Sequence, residues 1–324
     1  MSFNDFLSTY YGIQVDEKIG FARKEGYRTG NYFNFITSIE NKEMVYLEQA
    51  SLAYFLRDNQ IDFITLPIPN LQGEWVTSYH NKNYMVMQVT NMQQEDKKLE
   101  GRRLAEFHQI GSRYQYQPKE ISSYGRWKSL WIEKLDYIES RVEEEANKNP
   151  NAYYQLVMDV LPYIIGISEN AIQYIRESEA ETRFHEVDQG TITFHRYHNQ
   201  LNNSILWVEN LVYDHPVRDV AENIRNCLVK KESKEVIHQF LNEYQTVRPL
   251  SIFSLRLLFG RLLFPNHILD LLIHGFTAEN DEILYKELRS LVDNQTYYED
   301  VLRNFYESIN INPKVLNIPM INWL

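Results

Sequence analysis

An α+β fold of two lobes, a small antiparallel sheet followed by a larger helical part, is predicted by three features of the chain. At 324 residues it exceeds what one small core usually holds, so two packed lobes are the natural arrangement. Aromatic and β-branched segments separated by turn residues dominate the first 90 or so residues. From about residue 95 onward the apolar residues recur at helical spacing.

Within Tyr27 to Glu40, the run Tyr32-Phe33-Asn34-Phe35-Ile36-Thr37 suits a strand, and Asn41 and Lys42 turn the chain. Glu43 to Asp58 gathers Val45, Leu52, Phe55 and Leu56 on one side, with Leu47 near its edge, and predicts a helix. Ile61 to Pro67 and Glu74 to Tyr79 read as strands separated by Pro67, Pro69, Asn70 and Gly73. The apolar run from Tyr84 to Val89 reads as a buried strand. Leu99 to Ile110 predicts a helix closed near Gly111. Trp127 to Ala146 predicts a longer one, striped by Trp127, Leu130, Trp131, Leu135, Ile138 and Val142. Tyr153 to Glu177 supplies one or two more. Gln189 to Glu209 reads as strand, Asn-rich loop, then a strand at Ile205-Leu206-Trp207-Val208. After Pro216 the chain is helical to about Ile309, and residues 310–324, with Pro313, Pro319 and Trp323, are expected to be extended. The lobes are therefore placed at 1–92 and 93–324. There is no repeat and no linker long enough to separate independent domains.

Composition narrows the function classes. A hydrophobic share of 44% against 24% charged residues argues for a packed protein. The 23 tyrosines fit a large interior with wet hydroxyls, or a surface made for protein contacts. A net charge of −11 disfavours nucleic acid or an anionic membrane as main partner. Cys227 is the single cysteine, which excludes an intrachain disulfide or a multi-cysteine zinc site and fits a reducing compartment. The Met1-Ser2-Phe3-Asn4-Asp5 start is not that of a signal peptide. The most apolar stretch, Leu255 to Leu263, is interrupted by Arg256, Gly260 and Arg261 and falls short of a membrane span.

Four segments, taken in order, resemble a known family. Leu104-Ala105-Glu106-Phe107-His108 is similar to the LAxFH helix of aminoglycoside phosphotransferase-like kinases. Tyr124-Gly125-Arg126-Trp127-Lys128-Ser129-Leu130-Trp131, running on to Ile138-Glu139, resembles the Trp-rich helix of spore coat kinase-like proteins of the CotS type. Tyr213-Asp214-His215-Pro216-Val217-Arg218-Asp219-Val220-Ala221 looks like the D-x-P-x-x-D-L-A stretch of that family. Arg256 to Pro265 looks like the same region in the YutH branch of spore coat-associated proteins. This resemblance implies a two-lobed, protein-kinase-like (aminoglycoside phosphotransferase-like) fold.

It also allows the chemistry to be examined position by position. Phosphoryl transfer needs a carboxylate to orient the hydroxyl, a metal-bridging Asp, and usually an Asn and a Lys. Where the resembling kinases carry His-x-Asp-x-x-x-x-Asn, this chain has His195-Arg196-Tyr197-His198-Asn199-Gln200-Leu201-Asn202, so His195 and Asn202 are in register and Tyr197 stands where the base belongs. A phenol with a pKa of about 10 is a poor base at neutral pH. Counting back from Asp219 by the family's spacing puts Trp207 in place of the metal Asp, and an indole offers magnesium no hard oxygen. Glu209 or Asp214 are the carboxylates that would have to compensate. The strand expected to hold the ATP-binding Lys has none, and Lys42 falls in the turn after it. Glu43 or Glu48 matches the helix Glu that normally pairs with that Lys, and is expected to have no partner. Gly20, Gly26 and Gly30 are too far apart for a phosphate loop and read as turn glycines. His195, His198 and His215 lack metal-ligand spacing, so no metal site is expected. His195 is expected to hydrogen-bond backbone inside the second lobe, and Asp219 to accept backbone N–H groups around the catalytic loop. Cys227 reads as a small buried hydrophobe.

The resemblance implies a degenerate kinase, a pseudokinase with no catalytic residues and no cofactor, made in the mother-cell cytoplasm and placed in the spore coat, with spore coat proteins as partners. Its rivals are an active small-molecule phosphotransferase using ATP and Mg2+ with Glu209 or Asp214, and a sensor that binds a small molecule in the interlobe cleft.

Overall fold

The computed structural model describes residues 3–21, 24–39, 43–92, 99–181, 185–278 and 281–321. The expected turn at Asn41 and Lys42, and Trp323, lie outside them. The first lobe comprises α1 (Phe3–Tyr11), β1 (Glu17–Phe21), β2 (Lys24–Thr29), β3 (Tyr32–Ile39), α2 (Glu43–Asp58), β4 (Leu66–Ile68), β5 (Thr77–Tyr79) and β6 (Lys82–Val89). The sheet is antiparallel in the order β1-β2-β3-β6-β4, with β5 also on β6. The segment from Tyr27 to Glu40 holds two strands rather than one. Gly30 sits at φ +57°, where a side chain is strained, and its N–H is held by Asp16 at 2.7 Å, so the chain reverses there. Gly20 and Gly26 are strand residues, paired with Glu25 and Ile19, and not turn glycines.

Strand alternation sends β3 and β6 side chains to both faces. Phe35, Ile39, Met85, Met87 and Val89 enter the main core, while Tyr27 and Val86 pack on Phe6, Leu7 and Tyr11. The continuous apolar run of β6 therefore has both faces covered. Helix α1, absent from the sequence reading, supplies the second cover through Phe6, whose ring lies 5.1 Å from Tyr79 and 5.8 Å from Tyr84.

The second lobe comprises α3 (Glu100–Gly111), α4 (Trp127–Lys148), α5 (Ala152–Glu181), β7 (Thr191–Phe194), β8 (Leu211–Asp214), α6 (Val217–Val229), α7 (Lys234–Gln245), α8 (Ile252–Leu263), α9 (Asn266–Gly275), α10 (Asp281–Asp293), α11 (Gln295–Arg303) and α12 (Phe305–Ser308). Helix α5 runs unbroken past Pro162. The second strand of the small sheet is β8, pairing Leu211 with Phe194, and not the apolar run at Ile205–Val208. In that run, Leu206 alone makes a bridge, to Ile64. The tail is turned rather than extended: Ile318 N–H bonds the Pro313 carbonyl at 2.8 Å. Helix α3 crosses α7 so closely that a Cβ on Gly101 would stand 2.1 Å from the Phe240 carbonyl oxygen. Among the described residues no single helix is long and apolar enough to cross a membrane, and α8 is core, with Leu258, Leu262 and Leu263 fully buried.

One apolar core runs through both lobes, and backbone bonds lace them together. Leu206 donates to the Phe63 carbonyl and accepts from Thr65 N–H, each at 2.9 Å, and Val208 N–H reaches Thr65 Oγ1 at 3.1 Å. On α2, the Glu48 carboxylate accepts the N–H groups of Lys119, Glu120 and Ile121 at 2.8, 2.9 and 3.0 Å.

His267 on α9 stacks on Tyr298 at 5.2 Å. Burial first, and Arg225 second, push its pKa down to about 3. An unfolded imidazole protonates near 6.5, so unfolding takes up a proton between these values and stability falls as the pH drops through 6.5. A His267→Phe variant keeps the stacked ring and removes that proton. Its loss of stability between pH 7.5 and 5.5, followed by urea denaturation, is expected to be about 1.4 kcal/mol smaller than that of the native chain.

Candidate functional site

The loop between β7 and β8 carries the residues that the motif resemblance sets against catalytic positions, among them His195, Tyr197, Asn202 and Trp207. Its entry is fixed by Asp219 on α6, whose carboxylate accepts Phe194 N–H at 3.0 and 3.1 Å and lies 3.0 Å from His108 Nε2. Tyr244 hydroxyl stands 2.9 Å from His108 Nδ1. Burial drives the His108 imidazole well below its ordinary range, so the ring stays neutral, hydrogen-bonded to Asp219 through Nε2 and to Tyr244 through Nδ1. This relay sits on the LAxFH helix, α3. His195, expected to hold backbone with its ring, does not: the ring is exposed and has no hydrogen bond among the described residues. Its backbone does the holding, with N–H on the Asn210 carbonyl at 2.8 Å and its own carbonyl accepting Arg218 at 3.0 Å.

Tyr197 faces the core. It is fully buried, 5.2 Å from the Phe194 ring, and burial raises its phenol well above the ordinary value. Neither its direction nor its proton affinity suits a base. Asn202 is engaged as well, its Oδ1 accepting Arg103 Nη1 at 3.0 Å.

Trp207 lies between the lobes, 8% exposed, with its ring edge-on to Phe35 of β3 at 4.8 Å and 77°. Phe35 is in turn pressed against β2: a Cβ on Gly26 would stand 2.5 Å from its ring. The ammonium of Lys24, at the start of β2, lies 4.2 Å from the Trp207 centroid and forms an ion pair with Glu209. Such a cation on an indole contributes about 1 kcal/mol where partly desolvated. The space behind, among β3, α2, β6 and Val208–Glu209, is a cavity of about 20 Å³, room for roughly one water. Glu48, expected to lack a partner, instead clamps the three amides of residues 119–121.

Asp214 is wholly buried and saturated. It accepts Ser123 Oγ at 2.8 Å, Trp127 Nε1 at 2.8 and 2.9 Å, His215 N–H at 2.7 Å and Arg218 Nη1 at 2.7 Å. Burial alone would raise its pKa, but Arg218, Arg261 and the Trp127 N–H hold it below the carboxylate range. It organises the junction of β8, α4 and α6 and presents no free oxygen to a cleft. His215 likewise serves structure: its Nδ1 accepts Val217 N–H at 3.2 Å and its Nε2 stands 3.5 Å from Asp188. No group of three His, Cys, Asp or Glu with metal-binding geometry exists among the described residues. Cys227 is buried, and burial pushes its thiol up to about 12. Sequence reasoning missed the roles of Lys24 and Phe35, which only the folded β2–β3 pair brings to Trp207.

Comparison with known proteins agrees with this layout. A family described as spore coat putative kinase YutH matches residues 4–305. The endospore coat-associated protein YutH of Bacillus subtilis (strain 168) is 28% identical over 324 residues, covering 97% of this chain and 96% of its own. Among solved structures, an aminoglycoside phosphotransferase from Alicyclobacillus acidocaldarius superposes with a TM-score of 0.63 at 12% identity, over 93% of this chain and 95% of that one. A microcompartment-associated aminopropanol kinase superposes with a TM-score of 0.60 at 11% identity, over 94% and 97%. The fold is the kinase-like phosphotransferase fold expected from the four motif segments.

Replacing Asp214 by Asn leaves Arg218 buried without its countercharge. The variant is expected to lose about 3 kcal/mol of stability, read as a lower urea midpoint with an unchanged slope.

Proposed function

The chain belongs to the spore coat putative kinase YutH family, and from that premise we propose that it is a catalytically impaired member, a kinase fold retained for protein contacts in the spore coat. The observation that carries this reading is the packing of Trp207, the residue that the family's spacing sets against the metal-binding Asp, edge-on to Phe35 with Lys24 over its face. Magnesium requires oxygen ligands in a near-octahedral set, and an indole provides none. Tyr197 at the position of the base supports the same reading, since a buried phenol holds its proton at neutral pH. Glu209 is the remaining carboxylate for an active enzyme using displaced groups, and it is already neutralised by Lys24.

The relative described as endospore coat-associated supports a place in the coat. Synthesis in the mother-cell cytoplasm and recruitment by other coat proteins follow from that reading. The net charge of −11 and the tyrosine content suit a protein surface rather than nucleic acid.

Calorimetric titration of the purified protein with Mg·ATP is expected to give no metal-dependent heat at millimolar nucleotide, and Glu209→Gln to leave that silence and the coat localisation of a fluorescent fusion unchanged. Metal-dependent phosphate transfer from ATP that disappears in Glu209→Gln would make the protein an enzyme and end the proposal.

A further inference from the structure

A second cleft, of about 740 Å³, opens beside α4, and apart from Glu120 its charged lining is cationic, in a protein of net charge −11. Lys119 and Arg126 stand exposed at its mouth, and neither has a carboxylate partner among the described residues. Deeper lie Lys134, Arg196, Arg218 and Arg261. Behind them the charges do not balance. Asp270 is shared by Lys134 and Arg196, Glu222 by Arg225 and Arg261, and Asp214 pairs with Arg218, so three carboxylates serve five buried or half-buried cations.

The polar bookkeeping is incomplete in the same place. Arg218 and Arg261 are 7% and 4% exposed, and the Nε–H of each has no acceptor. An orphaned buried donor is costly, more so when it belongs to a cation. Arg261 lies 4.6 Å from the Trp127 ring, and burial with Arg218 nearby holds its pKa down to about 9. Burial first and Arg196 among its neighbours hold Lys134 at about 8 in spite of Asp270. Helix α4 also begins here, with no side chain capping its first N–H groups. Each of these features is relieved by an anion.

We propose that this cleft is a binding site for a small polyanion carrying two or more oxyanion groups, phosphate or carboxylate, held by Arg218 and Arg261 within and by Arg126 and Lys119 at the mouth. The volume is that of a small-molecule pocket, and the two guanidiniums on its wall are nine-tenths or more buried. Paired guanidiniums match the oxygens of phosphate and carboxylate alike. The site does not depend on whether Trp207 blocks catalysis.

Inorganic pyrophosphate and citrate, without magnesium, are the probes. At constant ionic strength set with sodium chloride, one or both are expected to raise the melting temperature saturably. Arg126→Glu, which puts an acid at the helix-favourable end of α4, and Lys119→Glu are expected to weaken that binding roughly tenfold, while Glu209→Gln leaves it unchanged. Preference for pyrophosphate or citrate assigns phosphate or carboxylate chemistry. No saturable shift with either probe, or a shift that both mouth variants retain, overturns the proposal. Neither result bears on the Mg·ATP titration, which uses metal and nucleotide.

Discussion

The two backbone hydrogen bonds of Leu206 to Phe63 and Thr65 fix the position on which the rest of the site depends. They hold a segment of the second lobe against the first as if it were one more strand. The next residue, Trp207, is thereby delivered under Phe35, and Glu209 within reach of Lys24. Each such hydrogen bond contributes about 1 kcal/mol net, but the aromatic contact behind them removes a large apolar surface from water. The polar ties set the register and the rings supply most of the stabilisation. Glu48 adds a third tie by collecting three amides that a loop would otherwise have to leave to water.

The second lobe is organised around buried carboxylates that fix its geometry. Asp219 and His108 fix the start of the loop, Asp214 joins β8 to α4 and α6, and Glu222 joins α6 to α8 through Arg225 and Arg261. Such networks are demanding, since a carboxylate that loses one donor keeps its desolvation cost. They make a framework that does not rest on Tyr197 or Trp207.

Much of this was legible in the order of residues. The Trp127 stripe predicted α4, and the LAxFH and Asp219 segments carried the lobe architecture. Three features were not legible, each for a physical reason. Helix α1 has only nine residues, and its apolar face makes sense only once a second face of the sheet is known to need cover. His195 holds the loop through its backbone and not its ring, with N–H on Asn210 and carbonyl under Arg218, while the histidine ring engaged there is that of His108, on the side chains of Asp219 and Tyr244. The cationic cleft draws on residues from 119 to 266, separated by two long helices, and no local pattern brings them together.

The grip of Glu48 on residues 119–121 also bears on motion. Enzymes of two lobes cycle by hinging apart to exchange reactant and product. Here hinging would tear three amides from one carboxylate and unzip Leu206 from its neighbours before any gap appeared. The molecule is a clasp already shut.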